Sequence, residues 1–85
     1  MYRLHYKKQV LKTLAKMPRK MRQRLMDALK MIAQNPAAYR GDWKPLSDSR
    51  YWRLRVGNRR AICEMKDREL ILLVLKVGNR GDVYK

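Results

Sequence analysis

Residues 51 to 60 read YWRLRVGNRR, and this run restricts the fold more than any other part of the chain. Side chains in a strand alternate between faces, so Trp52, Leu54 and Val56 share one face while Tyr51, Arg53 and Arg55 share the other. With Gly57 and Asn58 as the two loop residues, a Gly-X pair suits a type II′ turn and sets Arg55 directly opposite Arg60 on the returning strand. One face is then core and the other basic. Like charges facing each other across strands are destabilising, by a few tenths to about 1 kcal/mol. A single arginine on a solvated face serves solubility. A facing pair within a cluster points instead to a polyanion that relieves the repulsion.

The chain has 85 residues, enough for one modest core, and a single domain over 1–85 is expected. Its 22 Lys and Arg outnumber 7 Asp and Glu, a formal net charge of +15 that predicts a polyanionic partner: nucleic acid, ribosome or an acidic protein. Cys63 is the only thiol, so the chain can build neither an internal disulfide nor a cysteine zinc site, which suits a reducing cytosol and a cytoplasmic location. No apolar run reaches the roughly 18 residues that span a bilayer, and the opening MYRLHYKKQV lacks the apolar stretch of a signal peptide. A membrane-surface role would need apolar helix faces that the core claims instead.

In chain order, Tyr2–Tyr6 alternates as a short first strand, with Tyr2, Leu4 and Tyr6 on one side and Arg3 and His5 on the other. His5 has no second histidine to work with and reads as a bystander. Residues Lys8–Met17 carry Val10, Leu11 and Leu14 at helical spacing, and Pro18 opens a second helix with the stripe Met21, Leu25, Ala28, Leu29 and Ile32. The methionines at 17, 21, 26 and 31 are pliable filler. A connecting loop from Asn35 to Asp48 has room for a short strand around Trp43–Leu46, with Trp43 as its anchor. Arg60–Met65 returns with Ala61, Cys63 and Met65 facing the core; Cys63 there is a small hydrophobe. A charged turn, Lys66–Glu69, leads to Leu70–Val77, apolar on both faces and therefore central in the sheet. The expected fold is α+β in the order βααβββ, an antiparallel helical hairpin on one face of a mostly antiparallel four-stranded sheet.

The sequence contains no Gly-rich phosphate loop, HExxH, Cys/His cluster or Ser-His-Asp set. Neither a metal nor a cofactor is expected. Chemistry must come from Arg, Lys and Tyr, which serve phosphodiesters well: arginines bind phosphate bidentately and stabilise developing charge, and cations around a tyrosine lower its pKa.

The segments YWRLRVGNRRAICEM, ELILLVLKVG and NRGDVYK together resemble the RelE/ParE superfamily of toxins, the RelE branch more closely. The resemblance spans nearly the whole chain, and its most specific parts are RLRVGxxR at 53–60 and VGxRxxVY at 77–84. It implies a type II toxin that cuts messenger RNA in the ribosomal A site, against 16S rRNA, by attack of a ribose 2′-OH on the adjacent phosphate, and that is silenced by a cognate acidic antitoxin. By position, Arg60 and Arg80 match the family's active-site arginines, Tyr84 its catalytic tyrosine, and Arg53 a basic position in relatives. Arg50, Tyr51, Arg55 and Arg59 complete the expected RNA- and ribosome-binding set. Two departures accompany the match: a position before Arg53 that carries Lys in the best-known branch is aromatic here, and the sequence runs one residue past Tyr84 where some relatives add a helix. Two other functions fit the charge: a ParE-like gyrase inhibitor without nuclease activity, and a non-catalytic RNA- or ribosome-binding module.

Overall fold

The computed structural model describes residues 1–47 and 50–79. The strands are β1 (Arg3–Tyr6), β2 (Asp42–Pro45), β3 (Tyr51–Val56), β4 (Arg59–Lys66) and β5 (Ile71–Asn79). The helices α1 (Lys8–Ala15) and α2 (Arg19–Gln34) come between β1 and β2, and a single 3₁₀ turn, Pro36–Ala38, follows α2. The strands form one sheet in the order β1-β5-β4-β3-β2, with β1 parallel to β5 and every other pair antiparallel. The α+β class and the mostly antiparallel sheet match the sequence expectation. The short strand anticipated near Trp43 forms over Asp42–Pro45 and brings the sheet to five strands. Pro45 is tolerated because β2 is an edge.

Pro18 caps α2 at its N-terminus with extended backbone, as a residue fixed near φ −65° allows. Arg22 then reaches back, its Nη1 3.5 Å from the carbonyl of Leu14 in the last turn of α1. The α2 stripe Leu25, Ala28, Leu29 and Ile32 is buried as its spacing requires. It meets Leu54, Ala61, Cys63, Leu72 and Val74 on the inner sheet face, and Val10, Leu14 and Met17 close the cluster. Leu11 departs from the expected α1 stripe: it is 51% exposed, because Val10 and Leu14 already fill the sheet-facing side of an eight-residue helix. Each fully buried Leu or Ile contributes about 1.5–3 kcal/mol relative to an exposed one.

The β3–β4 register is the one expected, with Leu54 opposite Ala61 and Arg55 opposite Arg60. Gly57 has φ +59°, and Asn58 does not share the positive sign, which fits a type II′ turn. A Cβ at Gly57 would also come within 3.2 Å of Met21 Cε.

β5 departs from simple alternation. Ile62 of β4 lies opposite Lys76 but the next residue, Cys63, lies opposite Val74, so Leu75 is an extra residue on β5. Leu72 and Val74 face the core before the bulge, and Val77, opposite buried Ala61, faces it after. Unbroken alternation would have pointed Lys76 inward with Leu72 and Val74.

The β4–β5 turn holds Leu70 at φ 54°, the left-handed region where a Cβ costs roughly 1–2 kcal/mol per residue. Its side chain is 49% exposed and has little packing to lose. Leu70→Gly is therefore expected to stabilise the fold by about 0.5–1 kcal/mol, the relief of strain outweighing the added freedom of the unfolded chain. Paired denaturant titrations of the two proteins check this, and a midpoint lowered by the glycine would contradict it.

Candidate nucleic-acid interface

The helices occupy one sheet face, and the opposite face carries the candidate site. Register defines two rows across that outer face. One runs Asp42, Arg55, Arg60, Gly78; the other runs Lys44, Arg53, Ile62, Lys76. Arg53, Arg55 and Arg60 are thus brought together as expected. The structure adds a residue the sequence did not single out: Asp42 Oδ1 accepts from Arg53 Nη2 at 2.9 Å, and its Oδ2 lies 3.5 Å from Arg55 Nε. One carboxylate from the edge strand therefore balances both β3 arginines. Its signal in the sequence was weak, since a four-residue strand ending in proline shows little alternation.

Arg60 is the one charged side chain buried among the described residues, at 8% exposure. Burying a guanidinium costs several kcal/mol before compensation, so a fold that keeps one has it fixed by its surroundings. Such a group loses little conformational entropy when it meets an anion. Gly78, directly opposite on β5, places no side chain beside it.

The remaining expected residues fall in different places. Tyr51 is exposed on the outer face, opposite Glu64. It borders a groove of about 610 Å³ whose apolar lining includes Ile62, Leu73 and Leu75. Arg50 is solvent-exposed just before β3 and sits 3.5 Å from Glu64. Arg59 does not join the arginine rows: its register with Val56 and Asn79 places it on the helix-side face, where Nη1 donates to Asn79 Oδ1. Arg80 and Tyr84 lie outside the described residues.

Ionisation separates the inert groups from the available ones. Burial pushes the Cys63 thiol up to about 12, which removes the thiolate at neutral pH and leaves a small apolar side chain. Burial, with Cys63 adding to it, raises Tyr6, and the hydrogen bond that Tyr2 donates to Asp67 Oδ1 at 2.7 Å raises Tyr2. None of these belongs to the outer face. Among the described residues no three His, Cys, Asp or Glu side chains converge as metal ligands would. What the face offers is fixed and semi-fixed guanidinium charge beside a groove lined by apolar residues and by Lys7, Glu64, Lys66 and Lys76, a surface suited to phosphates with bases alongside.

A family profile described as ParE toxin of type II toxin-antitoxin system, parDE, matches residues 4–84. The chain belongs to this toxin family. No curated protein matches the sequence. Solved structures of similar fold include the archaeal RelE–RelB complex from Pyrococcus horikoshii OT3, at 24% identity over 96% of this chain and 98% of that one, TM-score 0.79. The isolated E. coli RelE toxin matches at 20% identity over 99% and 92%, TM-score 0.79. The toxin–antitoxin complex RelBE2 from Mycobacterium tuberculosis matches at 18% identity over 93% and 98%, TM-score 0.77. For a toxin of this family the arginine-bearing outer face is the surface to test.

Two outcomes are expected. Asp42→Asn removes the counter-charge of Arg53, which has 14% side-chain exposure, and should cost about 1 kcal/mol of stability. The same change frees positive charge for a ligand, so a fluorescent single-stranded RNA should bind more tightly with a steeper salt dependence. Unchanged or weaker RNA binding would show that Asp42 does not oppose the ligand. For Cys63 the folded thiol ionises near 12, above the roughly 8.5 of an unfolded one. Its contribution is therefore complete below about pH 8.5 and is lost as pH rises toward 12. Between pH 8.5 and 10, stability of the natural protein should fall more steeply than that of Cys63→Ala, by up to about 1.4 kcal/mol per pH unit. Parallel slopes in urea titrations across that window would refute it.

Proposed function

We propose that this toxin is a ribosome-dependent endoribonuclease that cuts messenger RNA in the A site and so stops translation. The observation that carries the proposal is the buried guanidinium of Arg60 on the outer face, beside Arg53 and Arg55, on a fold shared with RelE toxins. In the proposed reaction a ribose 2′-oxygen bonds to the adjacent phosphorus while the bond to the 5′-oxygen of the next nucleotide breaks. Arg60, with Arg80, stabilises the negative charge that builds on the phosphoryl oxygens. Arg53 and Arg55 hold the backbone, and Tyr84 takes the 2′-OH proton. This set lacks histidine and a free carboxylate, so the ribosome supplies alignment of the attacking oxygen, a contribution worth several kcal/mol in well-oriented reactions. Purified protein should accordingly leave naked RNA almost uncut.

The solved complexes of RelE with RelB support a cognate antitoxin for this chain too. An acidic, amphipathic segment laid on the basic face fits its charge. The reaction has no call on a membrane, and no described helix is long and apolar enough to cross one.

A second function, inhibition of DNA gyrase, is favoured by one observation: the family profile that matches is named for ParE. Mapping transcript 5′ ends after brief induction, beside a gyrase supercoiling assay, separates the two. Codon-phased cuts with unaffected supercoiling support the ribonuclease; intact transcripts with blocked supercoiling support the inhibitor.

The residue roles give a sharper expectation on programmed ribosomes under single-turnover conditions. Tyr84→Phe keeps the ring and removes the hydroxyl, and should slow cleavage about 10²- to 10⁴-fold with ribosome binding retained. Arg60→Ala and Arg80→Ala should also slow cleavage strongly, and Arg53→Ala less so. Full cleavage by the Phe variant would strip Tyr84 of the proton-transfer role.

A further inference from the structure

The bulge at Leu75 has a specific effect on one cation. The β5 residues on either side of it, Leu72 and Val74 before and Val77 after, all serve the core. The extra residue shifts the phase of the strand between them, and the side chain turned outward by that shift is Lys76, which is exposed. Bulges that re-aim a side chain beside a functional surface are a recurrent device. Lys76 lies opposite Ile62, and Arg60 is two residues from Ile62 along β4 on the same face. Diagonal neighbours of this kind have backbones roughly 7–8 Å apart, within reach of one another through a lysine and an arginine side chain.

Asp42 makes both of its ion pairs with β3, to Arg53 and Arg55. The other outer-face carboxylate near by, Glu64, lies 3.5 Å from Arg50 and lines the same groove as Lys76. Arg60 and Lys76 stand on the β4–β5 side of the same face. A phosphodiester chain seated at Arg60 and running toward β5, away from Arg55, would meet Lys76.

We infer that Lys76 is a phosphate-contacting residue of this interface, turned onto the outer face by the β5 bulge and gripping the RNA backbone next to the phosphate held at Arg60. It binds and positions; no bond-making step is assigned to it. The inference rests on the outer face being an RNA surface, and is independent of whether the RNA is cut.

The test is binding of a fluorescent single-stranded RNA dodecamer to the full chain at several salt concentrations. It compares the natural protein with Lys76→Met, Lys76→Arg and Lys30→Met, the last removing an exposed lysine from α2. Lys76→Met should weaken binding several-fold near physiological salt and make the slope of log K against log salt shallower by about 0.7, one phosphate contact on a single strand. Lys76→Arg should restore both, and Lys30→Met should change affinity by less than about twofold. Thermal melts of all four should coincide, since neither lysine is buried. Equal effects of Lys76→Met and Lys30→Met would overturn the assignment by reducing Lys76 to part of the net charge, and failure of Lys76→Arg to rescue would overturn it as well. A natural protein that binds no RNA would instead defeat the RNA surface itself, and Lys76 with it.

Discussion

Leu25, Leu29 and Ile32 lose all contact with solvent against the inner face of the sheet, where Leu54, Ala61, Cys63, Leu72 and Val74 are equally enclosed. That contact fixes which side of every strand is available for anything else. Because a strand has a period of two, committing Leu54 to the helices commits Arg53 and Arg55 to the opposite surface, and committing Ala61 does the same for Arg60 and Ile62. A slip of one residue in either register would bury the arginines and expose the leucines. The basic surface is thus held by the same hydrophobic packing that stabilises the fold.

How far this could be read in the residues depended on how strongly each strand distinguishes its faces. The β3–β4 hairpin was legible because bulky and basic residues alternate on both sides of a two-residue glycine turn, and the observed pairing of Arg55 with Arg60 follows from that alone. β5 was placed correctly in the middle of the sheet, but its bulge was not legible. Leu72, Leu73, Val74 and Leu75 are apolar in either phase, so only the later Lys76 and Val77 betray the shift. Arg59 is separable from Arg60 in the sequence, since two neighbouring strand residues cannot share a face and Arg60 occupies the outer one. Asp42 needed the structure, because its role depends on a short edge strand pairing in one register. Arg80 and Tyr84 rest on the resemblance alone.

The family name and the structural neighbours pull in slightly different directions, and the outer face shows why one fold can serve both. A toxin named for ParE and toxins named RelE share the same helix-covered sheet. Nothing in that packing demands a nuclease.

The two tryptophans of this chain are Trp43 and Trp52, and they stack on each other with ring centroids 5.0 Å apart and planes 18° from parallel. One belongs to the edge strand and the other to its neighbour, so every indole chromophore in the protein sits at a single seam. Indole fluorescence, excited beyond the absorption of the five tyrosines, therefore reports on the β2–β3 seam rather than on the molecule as a whole. The seam also carries Asp42, so loosening of the edge strand that holds the arginines' counter-charge becomes visible as uncoupling of two indoles, with no label added.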